Sequence, residues 1–205
     1  EGHWYGPTRR WHSNWQVRIL HNGRPHKTLE WQLKDKEVYV HFDTGSLGDT
    51  LSWVGQLIPF KKLHGIHKLK VYTAKNWLFD REWYLEQGVE FVDQYQSEMT
   101  AIYHLGVYFS PEEPWRRWEH KYDWRQQPLG KIASDRLGIE YHERRPRLAS
   151  EFTHGGVQQK APHVVIATQS TAQAKYWNNP TGWQELAEWY LGQGIQVYHA
   201  SKEGQ

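Results

Sequence analysis

The 205-residue sequence contains no cysteine, which removes disulfides, iron–sulfur ligation, cysteine-based zinc sites and thiol nucleophiles from its chemistry. A cysteine-free sequence fits a reducing compartment. No apolar run approaches the roughly 18 residues that a membrane span requires. Residues 1–20 carry Arg, His and Trp where a secretory signal would carry an apolar core. The chain therefore reads as soluble and cytoplasmic, with no membrane partner. An excess of one charge is also missing, because 25 Lys+Arg face 23 Asp+Glu for a net of +2. Without a basic block there is no electrostatic footprint for nucleic acid. The 13 histidines add positive charge in mild acid, which is titration and not a polyanion-binding signature. The chain begins at Glu1 and stops at Gln205 directly after a strand-like stretch, and it is expected to be a fragment.

With only one Met, packing volume has to come from other side chains, and aromatics are abundant: 13 Trp, 12 Tyr and 6 Phe. Two readings stand side by side. The rings could supply core volume, since large aromatics dominate burial, or they could line partly wet surfaces where flat apolar faces with hydrogen-bonding edges suit partners and sugars.

Period-two alternation in Trp15–Ile19 and Thr28–Leu33, separated by His21-Asn22-Gly23-Arg24-Pro25, predicts a β-hairpin. The pattern then changes. Val38–Phe42 predicts a strand entering the turn Thr44-Gly45-Ser46-Leu47-Gly48, and Asp49–Lys62 carries a helical pattern, the opening of a βαβ unit. Strand Leu69–Thr73, helix Trp77–Gln87 closed by Gly88, strand Val89–Val92 and strand Ala101–Val107 continue it. Residues 110–127 hold Pro111, Pro114, Trp115, Trp118, Tyr122 and Trp124 with many charges, and are expected as an ordered loop or short helix near a functional rim. Pro128–Leu137 predicts a helix closed by Gly138, and the polar stretch broken by Pro146 and Gly155-Gly156 predicts a linker. The grammar restarts with strand His163–Thr168, a helix led by Pro180 and reaching Leu191, and strand Ile195–His199. The domains so expected are a β-rich extension (1–37), an α/β domain with a mostly parallel sheet (38–142), a linker (143–160) and the start of a second α/β domain (161–205).

Two clusters could carry chemistry. The strand–turn–helix at 38–50 sets Gly48 and Asp49 at a helix N-terminus, where the macrodipole favours anions. Its spacing fits neither a Walker A loop nor a dinucleotide fingerprint, which argues against a nucleotide-binding oxidoreductase. Asp49 alone is equally a first-turn carboxylate stabilising the helix. The second cluster, Thr168-Gln169-Ser170-Thr171 with Lys175, follows a strand at the end where open α/β sheets bind ligands. Lys175 offers a point charge for a phosphate, or is an ordinary solvated lysine. His41, Asp43 and the His64/His67 pair fall short of the ligand count of a metal site, so no metal is expected in this chain.

Taken together, Gly45-Ser46-Leu47-Gly48-Asp49-Thr50 with Trp53, and Lys175-Tyr176-Trp177-Asn178-Asn179-Pro180-Thr181-Gly182-Trp183, resemble the heptosyltransferases of glycosyltransferase family nine, and more specifically the bacterial autotransporter heptosyltransferases. The resemblance runs over about residues 15–205. It implies an α/β fold of the GT-B type: a Rossmann-like N-terminal domain with a small N-terminal β-hairpin extension, and a truncated second Rossmann-like domain that binds the nucleotide-sugar. It implies Asp49 as general base, Gly45, Ser46, Gly48 and Thr50 as an acceptor-side loop, and Thr168, Ser170, Thr171 and Lys175 as contacts of the donor. The implied donor is ADP-heptose and the implied acceptor a Ser or Thr hydroxyl of an autotransporter adhesin. The family's iron-binding cysteines would lie after residue 205, so iron is expected in that segment and not here. A homo-oligomer is compatible with all of this, and the 205-residue piece alone is expected to be inactive. The competing reading from another class is a non-catalytic, Trp-rich carbohydrate- or peptide-binding module. A carboxylate base paired with a lysine favours the transferase, because a lectin has no use for either.

Overall fold

The computed structural model describes residues 11–108, 119–154, 161–170 and 175–200. The chain forms two compact units, Glu1–His154 and Gly155–Gln205. Among the described residues no helix is long and apolar enough to cross a membrane.

The first unit opens with the antiparallel hairpin β1 (Gln16–His21) and β2 (Arg24–Glu30), in register Gln16↔Glu30 to His21↔Arg24. Its turn residues Asn22 (φ 51°) and Gly23 (φ 74°) occupy the left-handed region that a tight two-residue hairpin turn demands. Every residue of both strands is exposed.

The sheet that organises the unit is made of β3 (Glu37–Phe42), β4 (Lys68–Tyr72), β5 (Val89–Phe91) and β6 (Ala101–Leu105), all parallel, in spatial order β5-β4-β3-β6. Val38, Tyr39, Val40 and Phe42 of the inner strand β3 are fully buried although they alternate between faces, as expected for a parallel strand covered on both sides. Against it pack Trp53, Val54, Leu57 and Phe60 from α1 (Leu47–Val54) and α2 (Leu57–His64), together with Ala133 and Leu137 of α4 (Leu129–Leu137). Leu69, Val71, Phe79, Tyr84, Val89 and Phe91 complete this core beside the short α3 (Arg81–Glu86).

Two helices expected as continuous are broken, each for a local reason. The pattern over Asp49–Lys62 is divided into α1 and α2 at Gly55-Gln56. Pro59 has no N–H for the carbonyl four residues back and its ring would collide with it, so the helix restarts with Pro59 in the first turn, where neither matters. The segment expected as one helix over Trp77–Gln87 is a single 3-10 turn, Asn76–Leu78, followed by α3. Asp80 caps α3 by accepting the Trp83 N–H at 3.1 Å, while Phe79 stays extended and buried and bridges to Leu148. Gly138 closes α4 at φ 67°, and a side chain there would also run into the His12 ring.

Beyond α4 the chain is tied back onto this unit. The His142 carbonyl accepts from Gln56 Nε2 (3.0 Å), Arg144 donates to Gln56 Oε1 (2.8 Å), and the Arg147 N–H donates to the Tyr84 hydroxyl oxygen at 3.1 Å. Helix α5 (Ser150–His154) follows.

The second unit pairs β7 (His163–Ile166) in parallel with β8 (Gln196–His199), joined through α6 (Gly182–Gly192). The start of α6 explains part of the aromatic run before it. Asn179 Oδ1 accepts from the N–H groups of Thr181 (3.2 Å) and Gly182 (3.1 Å), turning the chain into the helix. A Cβ on Gly182 would lie 2.6 Å from the Trp177 ring, so only glycine lets that indole settle against the helix start and edge-on to Trp183, 5.1 Å between ring centres.

Candidate active site at the carboxyl edge of the sheet

The chain runs from β3 to β4 and β5 on one side and then returns to place β6 on the other. The strand order thus reverses between β3 and β6, and in open α/β sheets ligands bind outside the carboxyl ends of the strands at such a reversal. The turn after β3 lies at this point. Its Thr44 hydroxyl accepts the Ser46 N–H at 3.0 Å and donates to Asp49 Oδ2 at 2.9 Å, which fixes the half-buried carboxylate in the first turn of α1. Ser46 stands at the N-cap in extended conformation without a side-chain cap bond. A Cβ on Gly45 or on Gly48 would meet nothing within 4 Å, so both face open space. Thr50, by contrast, is fully buried and its hydroxyl donates to the Ser46 carbonyl at 2.8 Å, so this residue shapes the turn from beneath.

A second group of side chains meets at the same edge, and the sequence pattern shows only part of it. Asp43, one residue past β3, accepts from His104 Nδ1 of β6 at 3.0 Å and is hydrogen-bonded to His41 Nδ1 and to the Tyr108 hydroxyl. Parallel pairing sets His41 directly opposite His104. Burial of Asp43 works against its charged form, but hydrogen bonds from Tyr108, His104 and His41 outweigh it and hold the carboxyl below its usual range. His64, expected beside His67, instead uses Nε2 on the Leu137 carbonyl at 3.0 Å. His104 had no local signal: only the β3/β6 register reveals it.

Behind this edge, His120 Nε2 accepts the Tyr108 N–H at 3.2 Å. Burial, and then the nearby Arg136 charge, push its pKa down from 6.5 to about 4. The unfolded chain therefore takes up this proton near pH 6.5 and the folded chain only near pH 4. The stabilisation is complete above pH 6.5 and is lost as pH falls through that window. We expect His120→Gln to flatten the loss of unfolding free energy between pH 6.5 and 4 by about 1 kcal/mol, allowing for solvent screening of this half-buried ring. Urea unfolding of both proteins across that range is the check, and parallel pH profiles would remove His120 as the cause.

In the second unit, Thr168 Oγ1 pairs with His199 Nε2 at 2.9 Å, joining the carboxyl ends of β7 and β8. The Ser170 carbonyl accepts from the Tyr176 hydroxyl at 3.2 Å, and Lys175 is exposed. Thr171 lies outside the described residues, as do Trp115 and Trp118. Tyr122 is exposed, and Trp124 begins a 3-10 turn, Trp124–Gln126.

The α/β fold with its parallel sheet is similar to that of a bacterial glycosyltransferase, and the likeness extends along nearly the whole chain. The relatives are autotransporter heptosyltransferases. The chain is 28% identical to the autotransporter heptosyltransferase Aah of Escherichia coli over 198 residues, covering 95% of this chain and 49% of Aah. The crystal structure of TibC from enterotoxigenic E. coli H10407, an iron-containing dodecameric glycosyltransferase, superposes with a TM-score of 0.74 at 28% identity, over 95% of this chain and 50% of TibC. TibC has also been solved in complex with ADP-D-beta-D-heptose. The chain is 27% identical over 168 residues to BimC of Burkholderia thailandensis, an inactive autotransporter heptosyltransferase, covering 79% of this chain and 37% of BimC. No family model matches the chain. It spans about half the length of the curated relatives it matches.

Proposed function

We propose that this chain supplies the acceptor-side domain, and the opening of the donor-side domain, of a GT-B glycosyltransferase that moves heptose from ADP-heptose to Ser or Thr hydroxyls of an autotransporter adhesin in the bacterial cytoplasm. The observation that carries the reading is Asp49, held by Thr44 at the point of strand-order reversal in a fold shared with a protein solved bound to ADP-heptose. On this reading residues 1–37 extend a Rossmann-like acceptor domain over 38–142, residues 143–160 lead out of it, and 161–205 begin the nucleotide-sugar domain.

The proposed chemistry uses a base, a cation and hydroxyls around the donor. Asp49 takes the proton of the acceptor hydroxyl as its oxygen attacks the anomeric carbon of the heptose. The new glycosidic C–O bond forms as the bond from that carbon to the β-phosphate oxygen breaks, and ADP leaves with the electron pair. Lys175 holds the developing diphosphate charge, with Thr168, Ser170 and Thr171 around the donor. Gly45, Ser46 and Gly48 leave the backbone open beside Asp49 for the acceptor. TibC contains iron, and the transfer step proposed here draws on no metal ion.

Exposure of Trp15 (38%) and Trp31 (49%) at the hairpin favours a second reading, a non-catalytic sugar- or peptide-binding module. Lys175 separates the two. In the full-length protein, Lys175→Ala should weaken ADP-heptose binding about 10- to 100-fold by titration calorimetry, the loss of one charged contact. Unchanged donor affinity and turnover would make Lys175 a solvated loop residue.

A further inference from the structure

Among the described residues, one group of three side chains has metal-ligand chemistry at metal-ligand spacing: His41, Asp43 and His104, whose ligating atoms all lie within 4.8 Å of one another. We propose that this group is a binding site for a first-row divalent transition-metal ion, separate from any cysteine-held iron and independent of the transferase reading above.

The donor set selects the ion. Two imidazole nitrogens and one carboxylate suit Zn2+, Fe2+ or Co2+, whereas Mg2+ and Ca2+ prefer all-oxygen sites. Two His and one carboxylate leave further coordination positions for water or a ligand oxygen, as in facial-triad and catalytic zinc sites. The Tyr108 hydroxyl, already on Asp43 Oδ2, is a fourth donor group within reach.

The site is also pre-arranged, which distinguishes it from a chance meeting of surface histidines. Two ligands stand opposite each other on adjacent parallel strands and the third follows one of those strands by a single residue, with its N–H on the Leu105 carbonyl at 2.7 Å. The His41 ring is stacked on Tyr72 (4.9 Å, 9°) and set edge-on to Tyr95 (5.7 Å, 67°), which fixes its plane. The His104 carbonyl accepts from Arg136 Nη1 at 3.3 Å, and the Arg136 guanidinium lies over the Tyr108 ring at 4.9 Å. Such outer contacts orient ligands and are what a site needs to bind before it is filled. An ion can still enter, because the His104 side chain is 40% exposed. The place in the fold adds a further reason: this is the strand-order reversal, the part of an open α/β sheet where ligands gather.

The test is binding, not transfer. Zn2+ titrated calorimetrically into the full chain, and Co2+ followed by its visible d–d absorption, should each show one site per chain. His104→Gln, His41→Gln and Asp43→Asn should each weaken that site at least 100-fold, while His21→Gln, a histidine on the exposed hairpin, should leave it unchanged. Zn2+ should raise the melting temperature of the wild-type chain and not of His104→Gln, a readout that holds even if one ligand variant is poorly folded. Equal Zn2+ affinity in wild type and His104→Gln, or no saturable Zn2+ and Co2+ binding by the wild type, would overturn the proposal and leave a hydrogen-bonded His–Asp–His cluster.

Discussion

Asp49→Asn in the full-length protein is expected to lower the transfer rate by a factor of about 100 to 10,000, the usual contribution of a positioned general base. Asparagine has nearly the shape of aspartate and can still accept the Thr44 hydroxyl through its amide oxygen, so the turn and the start of α1 should persist. Donor affinity should not move, since the substitution lies in the first unit and the proposed donor contacts in the second. If Asp49 were only a first-turn carboxylate complementing the helix dipole, the substitution would instead cost about 0.3–1 kcal/mol of stability and leave turnover intact. Measuring turnover with ADP-heptose and an adhesin fragment alongside urea unfolding separates the two. Wild-type turnover in the variant would remove Asp49 from the mechanism.

The largest expected effect on stability is at Trp53. This side chain is fully buried, lies edge-on to Phe42 with ring centres 5.6 Å apart, and donates its Nε1–H to the Leu129 carbonyl at 3.0 Å. It thereby ties β3, α1 and the start of α4 together beneath the turn that carries Asp49. Trp53→Ala should cost about 3–5 kcal/mol of unfolding free energy, a large part of the ~5–15 kcal/mol typical of a domain. Trp53→Phe keeps most of the apolar volume but leaves the Leu129 carbonyl without its donor, and should cost about 1–3 kcal/mol on that account. An unfolding free energy for Trp53→Ala, from urea titration, within about 1 kcal/mol of wild type would mean that the indole is not the pin holding these elements.

How far the residues alone disclose this structure depends on whether each signal is local. The alternation of Val38–Phe42, the glycine turn and the helix beginning at Leu47 are neighbours in sequence, and the α/β unit follows from them directly. The hairpin is equally local, because Asn22-Gly23 states its own turn type. Pro59 was available to divide the helix over 49–62 but is outweighed by an apolar periodicity that continues through it, and Asp80 is a cap hidden inside a helix-like run. His104 is a different case. Nothing near it in the sequence suggests a ligand, and it joins His41 and Asp43 only because β6 pairs with β3 after the chain has made β4 and β5. The resemblance places Thr50 in the acceptor-side loop, yet one step beyond Asp49 around the helix turns its side chain inward.

The Trp177–Gly182 contact alters what the aromatic run before α6 signifies. An indole resting where any side chain on residue 182 would collide is a requirement for beginning the helix, whatever the helix then serves. Asn179 adds the turn that delivers the chain there. Trp177, Asn179 and Gly182 are therefore required to start this helix whether or not the chain takes part in sugar transfer. On the proposed function, Lys175 is the position in this run whose loss would weaken donor binding and leave the helix start in place.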